Sequence, residues 1–319
     1  MDTAERPTGA RTVRPRASEK MFENFTRTSV CANGVSINLV YGGDGPPLLL
    51  LHGYPQTHVE WHKIAPTLAE HYTVFAPDLR GYGDSDKPFA PEGDLSIYCK
   101  RTTAQDQVEV MDHFGVAEFH IVGHDRGVRV GHRLALDHPD RVRSLTSLDV
   151  VPSQAAFEHM DSSLSFAWFH WHLMRQPAPF PETLIGTNAE FYLDFLLDRW
   201  CATDGAITEE ARAEYLRCFS DPETIRATCL DYRGIELDLQ HDEEDRGRKL
   251  TCPVLLLWGS NMAKRPGWQT GHSLNMLTVW KERALDVRGE PIDCGHFLPE
   301  EKPQETVSEI LTFLSSLSR

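Results

Sequence analysis

The sequence predicts an α/β fold, a mostly parallel sheet flanked by helices with a helical segment inserted into it, and three observations carry that expectation. Short apolar runs of strand length alternate with helix-period patterns, the signature of strands buried between helical layers. One of those runs, Phe119 to Val122, passes through Gly123-His124-Asp125-Arg126-Gly127 directly into a helix-like segment. The alternation stops between about Ser153 and Lys249 and resumes at Val254.

Residues 1–20 carry Arg6, Arg11, Arg14, Arg16 and Lys20 without an apolar stretch, and are expected to be a disordered tail rather than a secretory signal. Val35 to Val40 and Pro47 to Leu51 are strand-like, and the intervening Gly42-Gly43-Asp44-Gly45 suggests a hairpin-like connection. Thr73 to Ala76, Leu145 to Leu148 and Val254 to Trp258 repeat the buried-strand signal. Helical patterns cover Ala104 to Phe114 and Val128 to Asp137, and Gln304 to Leu317 closes the chain with an apolar stripe at 307, 310, 311 and 314. The middle of the chain is rich in aromatics (Phe157, Trp168, Trp171, Tyr192, Trp200, Tyr215 and Tyr232 among them) and reads as helices without buried strands. The predicted division is a core of 21–152 and 249–319 with a helical cap over 153–248.

Composition narrows the function. The chain has 319 residues, 40% of them hydrophobic and 25% charged, as in an ordinary soluble globular protein. No apolar run is long enough to span a bilayer, so no membrane partner is expected. Seven scattered cysteines lack any C-x-x-C spacing and fit the reduced state of a cytoplasmic protein. The net charge of −15 argues against nucleic acid and would repel an anionic substrate at long range. An anion site would have to be built from local cations, and Arg126 and Arg129 are placed to provide it.

The strand–turn–helix around Asp125 has the form of a nucleophile elbow, which usually presents a serine. An aspartate at that position attacks saturated carbon, displaces a leaving group and becomes the acyl half of its own ester. A second step then needs a base to activate water. His296, in the glycine-containing loop Asp293-Cys294-Gly295-His296 before the final helix, is the candidate among 15 histidines. The orienting acid is assigned to Asp149, at the C-terminal end of a buried strand where open α/β sheets build their sites. The turn after Val254 to Trp258, Gly259-Ser260-Asn261-Met262, offers no carboxylate. Leu51-His52-Gly53-Tyr54-Pro55 follows an early strand, and the backbone N–H groups of Tyr54 and Arg126 are expected to form an oxyanion hole. Neither His170-x-His172 nor the acidic run Asp242 to Asp245 has a supporting ligand set, so no metal is expected, and the acidic run reads as a solvated linker.

Taken together, His-Gly-Tyr-Pro, Asp78-Leu79-Arg80-Gly81-Tyr82-Gly83-Asp84-Ser85, the Asp125 elbow and the His296 loop resemble the α/β-hydrolase superfamily, in its epoxide hydrolase and haloalkane dehalogenase branch. Asp125-Arg126-Gly127-Val128-Arg129 is most similar to the haloacetate (fluoroacetate) dehalogenases. The likeness runs from about residue 25 onward. It implies the α/β-hydrolase fold, a substrate carboxylate held by Arg126 and Arg129, and a halide pocket of His170, Trp171 and Tyr232. It also implies His52 and Trp200 as pocket lining, no cofactor, and a homodimer. Imidazole, indole N–H and phenol O–H all donate hydrogen bonds to a departing halide without adding a competing nucleophile. Helix packing is the plain alternative for His170-Trp171, and a buried aromatic for Tyr232.

The expected reaction is hydrolytic dehalogenation of a short 2-halo acid, fluoroacetate or chloroacetate to glycolate plus halide, through an aspartyl ester on Asp125. Epoxide hydrolysis would share Asp125, Asp149 and His296 and would draw on Tyr192, Tyr215 or Tyr232 as proton donors. A non-catalytic binding protein on the same fold would not need His296.

Overall fold

A computed structural model of the chain describes residues 20–261 and 275–317. The expectation of a disordered N-terminal tail falls almost wholly outside the described residues, as does Met262 of the turn after the Val254 strand. Eight strands form one sheet: β1 (Thr26–Ala32), β2 (Val35–Gly42), β3 (Pro47–Leu51), β4 (Thr73–Pro77), β5 (Phe119–His124), β6 (Val142–Leu148), β7 (Val254–Gly259) and β8 (Val287–Ile292). Their spatial order is β1-β2-β4-β3-β5-β6-β7-β8. β1 and β2 run antiparallel to each other and β2 antiparallel to β4, and every later pairing is parallel. Leu48 to Leu51 and all of β5 are buried, as strands covered on both faces must be, which is why they read as continuous apolar runs.

The connection after β2 is not a hairpin. β2 pairs with β4, and the glycines of 42–45 carry the chain across to β3 on the far side of β4. β1 and β8 escaped the sequence reading. β1 opens with four polar residues, Thr26 to Ser29, at the sheet edge, and β8 (Val-Arg-Gly-Glu-Pro-Ile) is largely exposed with glycine and proline inside it.

Among the described residues, a 3₁₀ turn (His58–Trp61) and helices α1 (Ala65–Ala69), α2 (Lys100–His113) and α3 (Arg126–Asp137) lie between the early strands. α3 packs on β3, β5 and β6. Between β6 and β7 come α4 (Ser153–Glu158), α5 (Ser162–Ala167), α6 (Phe169–Met174), α7 (Phe180–Thr187), α8 (Ala189–Trp200), α9 (Glu209–Phe219), α10 (Pro222–Arg233) and α11 (Ile235–Glu244). The chain closes through α12 (Met276–Arg283), α13 (Leu298–Glu301) and α14 (Pro303–Leu317). The acidic run expected to be a solvated linker is instead the end of α11. There Asp245 meets the buried Arg133 at 2.5 Å and Asp242 accepts a hydrogen bond from the Gln154 N–H. Parallel strand order brings the ends of β3, β5, β6 and β7 side by side, and the turns leaving those ends carry the residues considered next.

Candidate active site

The elbow is enforced by close packing. A Cβ at Gly127 would lie 1.9 Å from the Leu51 carbonyl oxygen, and one at Gly53 would lie 2.6 Å from the Asp125 Cβ, so neither position tolerates a side chain. Asp125 itself takes φ 43 and ψ −112, a strained conformation for a non-glycine residue that projects its carboxylate away from the sheet. The Tyr54 N–H donates to its Oδ1 at 3.1 Å, and Arg129 Nη1 donates to its Oδ2 at 3.3 Å. Burial alone would raise the pKa of this carboxyl. The positive neighbours, led by Arg129 and including His124 and Arg126, outweigh it and hold the group well below the usual carboxylate range. Asp125 is therefore an anion with its oxygens facing cations and a backbone donor.

His296 Nδ1 stands 2.6 Å from Asp149 Oδ2, and the other Asp149 oxygen accepts the Gly259 N–H at 2.8 Å. Asp149 also has a positive φ, 62, as the chain turns out of β6. The nearer carboxylate in sequence, Asp293, instead accepts from Asn261 Nδ2 at 2.5 Å. The loop that presents His296 is pinned by Glu301, whose oxygens accept the N–H groups of Gly295, Phe297 and Ala202. The His296 N–H donates to the Trp200 carbonyl at 2.9 Å, which ties the loop to the end of α8.

The two arginines are not equivalent. Arg126 Nε and Nη2 donate to Asp231 at 2.8 and 2.9 Å, and the same aspartate receives Tyr82 Oη and Lys100 Nζ. The Arg126 guanidinium also lies 4.4 Å over the Tyr232 ring, and that of Arg129 lies 4.7 Å over Trp171. Among the described residues Arg126 Nη1 and Arg129 Nε have no hydrogen-bond partner, although both are buried. Each arginine thus keeps part of its fork unspent.

The inserted helices bring aromatic groups over Asp125. His170, Trp171, Trp200 and Tyr232 are all buried, and the His170 ring lies 4.7 Å from Trp200 and 5.5 Å from Tyr232. His170 Nδ1, Trp200 Nε1 and Tyr232 Oη are buried without a partner among the described residues. Burial first, then the neighbouring cations, pushes the His170 pKa down to about 3 and leaves it a neutral imidazole. His172 faces solvent, so His170-x-His172 does not converge on one point.

His52, expected to line the pocket, is fully buried. Its Nδ1 bonds the Gly53 carbonyl at 2.9 Å and its Nε2 accepts the Leu79 N–H at 3.0 Å, so both nitrogens are spent on backbone beneath the turn. The sequence reading missed Glu60, His124, Asp231 and Glu301. His124 was in view inside the Gly-His-Asp motif, but no local signal showed what its ring would meet. Cys99, Asp238 and His241 could bring three ligand atoms within 4.8 Å of one another; this group shares no residue with the site, and Lys100 Nζ already lies 4.0 Å from Asp238 Oδ2.

The α/β-hydrolase fold family matches residues 46–303. The chain belongs to that family. This α/β hydrolase is 43% identical over 299 residues to the fluoroacetate dehalogenase of Burkholderia sp, a match covering 92% of this chain and 95% of that one. It is 34% identical to the soluble epoxide hydrolase of Corynebacterium sp. (strain C12), over 93% of this chain and 100% of the other. The crystal structure of a protein described as an α/β hydrolase, from Nostoc sp PCC 7120, superposes with a TM-score of 0.87 at 50% identity, covering 92% of this chain and 98% of that one. No helix among the described residues is long and apolar enough to cross a membrane.

Proposed function

We propose that this hydrolase removes halide from short 2-halo acids, fluoroacetate and chloroacetate being the test substrates. One observation carries the reading. An ionised Asp125 is bordered by unspent guanidinium N–H groups of Arg126 and Arg129 and by the unpaired donors of His170, Trp200 and Tyr232. A substrate with a carboxylate at one end and a leaving group at the other matches that set. Similarity to the Burkholderia fluoroacetate dehalogenase supports it.

In this reading Arg126 Nη1 and Arg129 Nε take the substrate carboxylate, with the α-carbon facing Asp125. One Asp125 oxygen attacks that carbon as the carbon–halogen bond breaks, and halide leaves toward His170, Trp171 and Tyr232, with Trp200 beside them. His296, oriented by Asp149, then removes a proton from water as the water attacks the Asp125 carbonyl. The Tyr54 N–H, which already touches an Asp125 oxygen, is positioned to meet the charge that develops there, with the Arg126 amide as the second expected donor. Collapse of the intermediate releases glycolate and restores the aspartate, without any cofactor. The inserted helices act as the cap over a core of 21–152 and 249–319. We take the protein to be cytoplasmic and homodimeric, with the exposed Phe166, Phe180, Leu184, Phe191 and Phe195 of the cap as an apolar face suited to self-association.

Epoxide hydrolysis is the second reading, supported by the Corynebacterium relative and by the unpaired Tyr232 hydroxyl. Of the other tyrosines that reaction would draw on, Tyr215 is engaged with Gln56 and Glu300. Halide release from fluoroacetate and chloroacetate, measured beside diol formation from styrene oxide, separates the two. Diol formation without halide release would overturn the dehalogenase reading, and the absence of both would favour a non-catalytic role.

A further inference from the structure

The reaction as proposed leaves a buried acid and a buried base unused. Glu60, on the 3₁₀ turn, is 1% exposed, and its Oε2 accepts the Gly53 N–H at 3.0 Å. The same oxygen stands 3.2 Å from His124 Nδ1. The other ring nitrogen, Nε2, stands 2.9 Å from the carbonyl oxygen of His296. A carbonyl oxygen only accepts, so Nε2 must carry a hydrogen. Nδ1 faces a carboxylate oxygen that already accepts a backbone N–H, so the natural state has a hydrogen there too. Both nitrogens protonated means an imidazolium, and its ring centre lies 4.5 Å from that of His296.

We propose that Glu60 and His124 form a positioning unit that ties together the turn of Tyr54, the Asp125 elbow and the His296 loop, and that its buried imidazolium places a fixed positive charge beside His296, the base that takes the proton from water. The tie is direct: Glu60 holds Gly53, His124 precedes the nucleophile, and its ring holds the His296 backbone. The charge acts through space. Burial opposes the cation, but Glu60 first, then Asp125 and Asp149, outweigh it and push the His124 pKa up to about 9. The ionisable groups facing this unit and His296 are Asp125, Asp149 and, from α6, His170, with Glu300 of α13, Tyr215 of α9 and His52 facing Glu60; Arg129 and Arg126 face Asp125. The inference rests on His296 acting as the water-activating base, which the dehalogenase and epoxide readings share.

The test is the pH dependence of ester hydrolysis in full-length E60Q, H124Q and the double variant. A cation beside the base disfavours a second one, so removing it should move the acid limb of the profile upward. A nearby charge shifts such a group by roughly one unit or more, and the opposing Glu60 keeps the expected shift to about one pH unit. E60Q removes the counter-ion and with it the extra proton on His124, so E60Q and the double variant should show the same displacement, while H124Q, which leaves the Glu60 carboxylate without its cation, should move the limb at least as far. A role limited to holding the loops would lower the plateau and leave the limb in place, and that result in folded E60Q overturns the proposal. So does a double variant displaced by the sum of the two singles. Nitrogen-15 NMR of histidine-labelled wild type gives a readout that needs neither folded variants nor turnover. Two protonated ring nitrogens on His124 at neutral pH are expected, and one would overturn it. A wild type inactive on chloroacetate would refute the dehalogenase reading alone, since the limb can be followed on an epoxide and the NMR experiment uses no substrate.

Discussion

Asp149→Asn tests the proposed pairing of Asp149 with His296 because the structure dictates how the new amide must sit. Asp149 Oδ1 is held by the Gly259 N–H at 2.8 Å, so the asparagine keeps its carbonyl oxygen there and turns its NH2 toward His296. The 2.6 Å contact between Asp149 Oδ2 and His296 Nδ1 then becomes a donor facing the ring. Nδ1 must accept, the ring hydrogen moves to Nε2, and the nitrogen that should take a proton from water no longer can. A charge-assisted hydrogen bond is lost as well, about 1.5–3 kcal/mol, or roughly ten- to a hundredfold in rate. The same exchange behind a serine protease histidine costs about 10⁴-fold, so a fall in turnover between about 10² and 10⁴ is expected. Alkylation of Asp125 does not use His296, so halide should appear as a rapid burst of one equivalent followed by a stall. Rapid-quench halide measurement with intact-protein mass spectrometry reads both phases. Asp293→Asn is the control, since that carboxylate faces Asn261, and should cost little. A burst lost together with turnover, or Asp293→Asn as the crippling change, would refute the reasoning.

His296→Asn should likewise trap the ester, with the adduct mapped to the peptide containing Asp125; full multiple turnover would remove His296 as base. Arg126→Leu or Arg129→Leu should nearly abolish activity on haloacetates, Lys rescuing only in part because an ammonium lacks the planar fork. Arg126→Leu should also lower the melting temperature, since it strips a partner from the buried Asp231; equal wild-type rates on chloroacetate and chloroacetamide would show that the arginines do not read the carboxylate. Tyr232→Phe should slow fluoroacetate more than chloroacetate, because fluoride depends most on donated hydrogen bonds, and steady-state rates on both substrates check it. Burial, then Glu60, raises the Glu300 pKa from 4.5 to about 8, so the folded state holds a proton that the unfolded chain releases above pH about 4.5. Stability from this group should therefore fall between about pH 4.5 and 8; Glu300→Gln should flatten that part of a melting-temperature profile, and an unchanged slope would reassign it.

Local chemistry was legible in the sequence, and pairings across the fold were not. The elbow could be read because its requirements lie within five residues, glycine on both sides of Asp125, and packing explains them. Asp149 was reached from its place at the end of a buried strand and from the lack of a carboxylate in the turn after Val254 to Trp258, and the aligned ends of β6 and β7 set its Oδ2 2.6 Å from His296 Nδ1. The glycine-rich 42–45 misled because the same residues serve a hairpin and a crossover, and only the pairing of β2 with β4 decides between them. Asp231 is 105 residues from Arg126 and Glu60 is 64 from His124, separations at which no spacing rule operates.

Those hidden pairings bear on how an acidic protein could hold an anion. Arg129 is countered by Asp125, Arg126 and Lys100 by Asp231, with Asp238 beside the lysine, and His124 by Glu60. Buried charges need such partners, because an isolated one would be too costly to desolvate. In consequence the arginines carry no large surplus of positive charge into the site. What they offer are fixed N–H groups left over after each cation has met its acid, Nη1 on Arg126 and Nε on Arg129. Recognition on those terms depends on geometry more than on net attraction, which is compatible with a net charge of −15 on the whole chain. It also explains why lysine, equal in charge, is expected to be a poor substitute at either position.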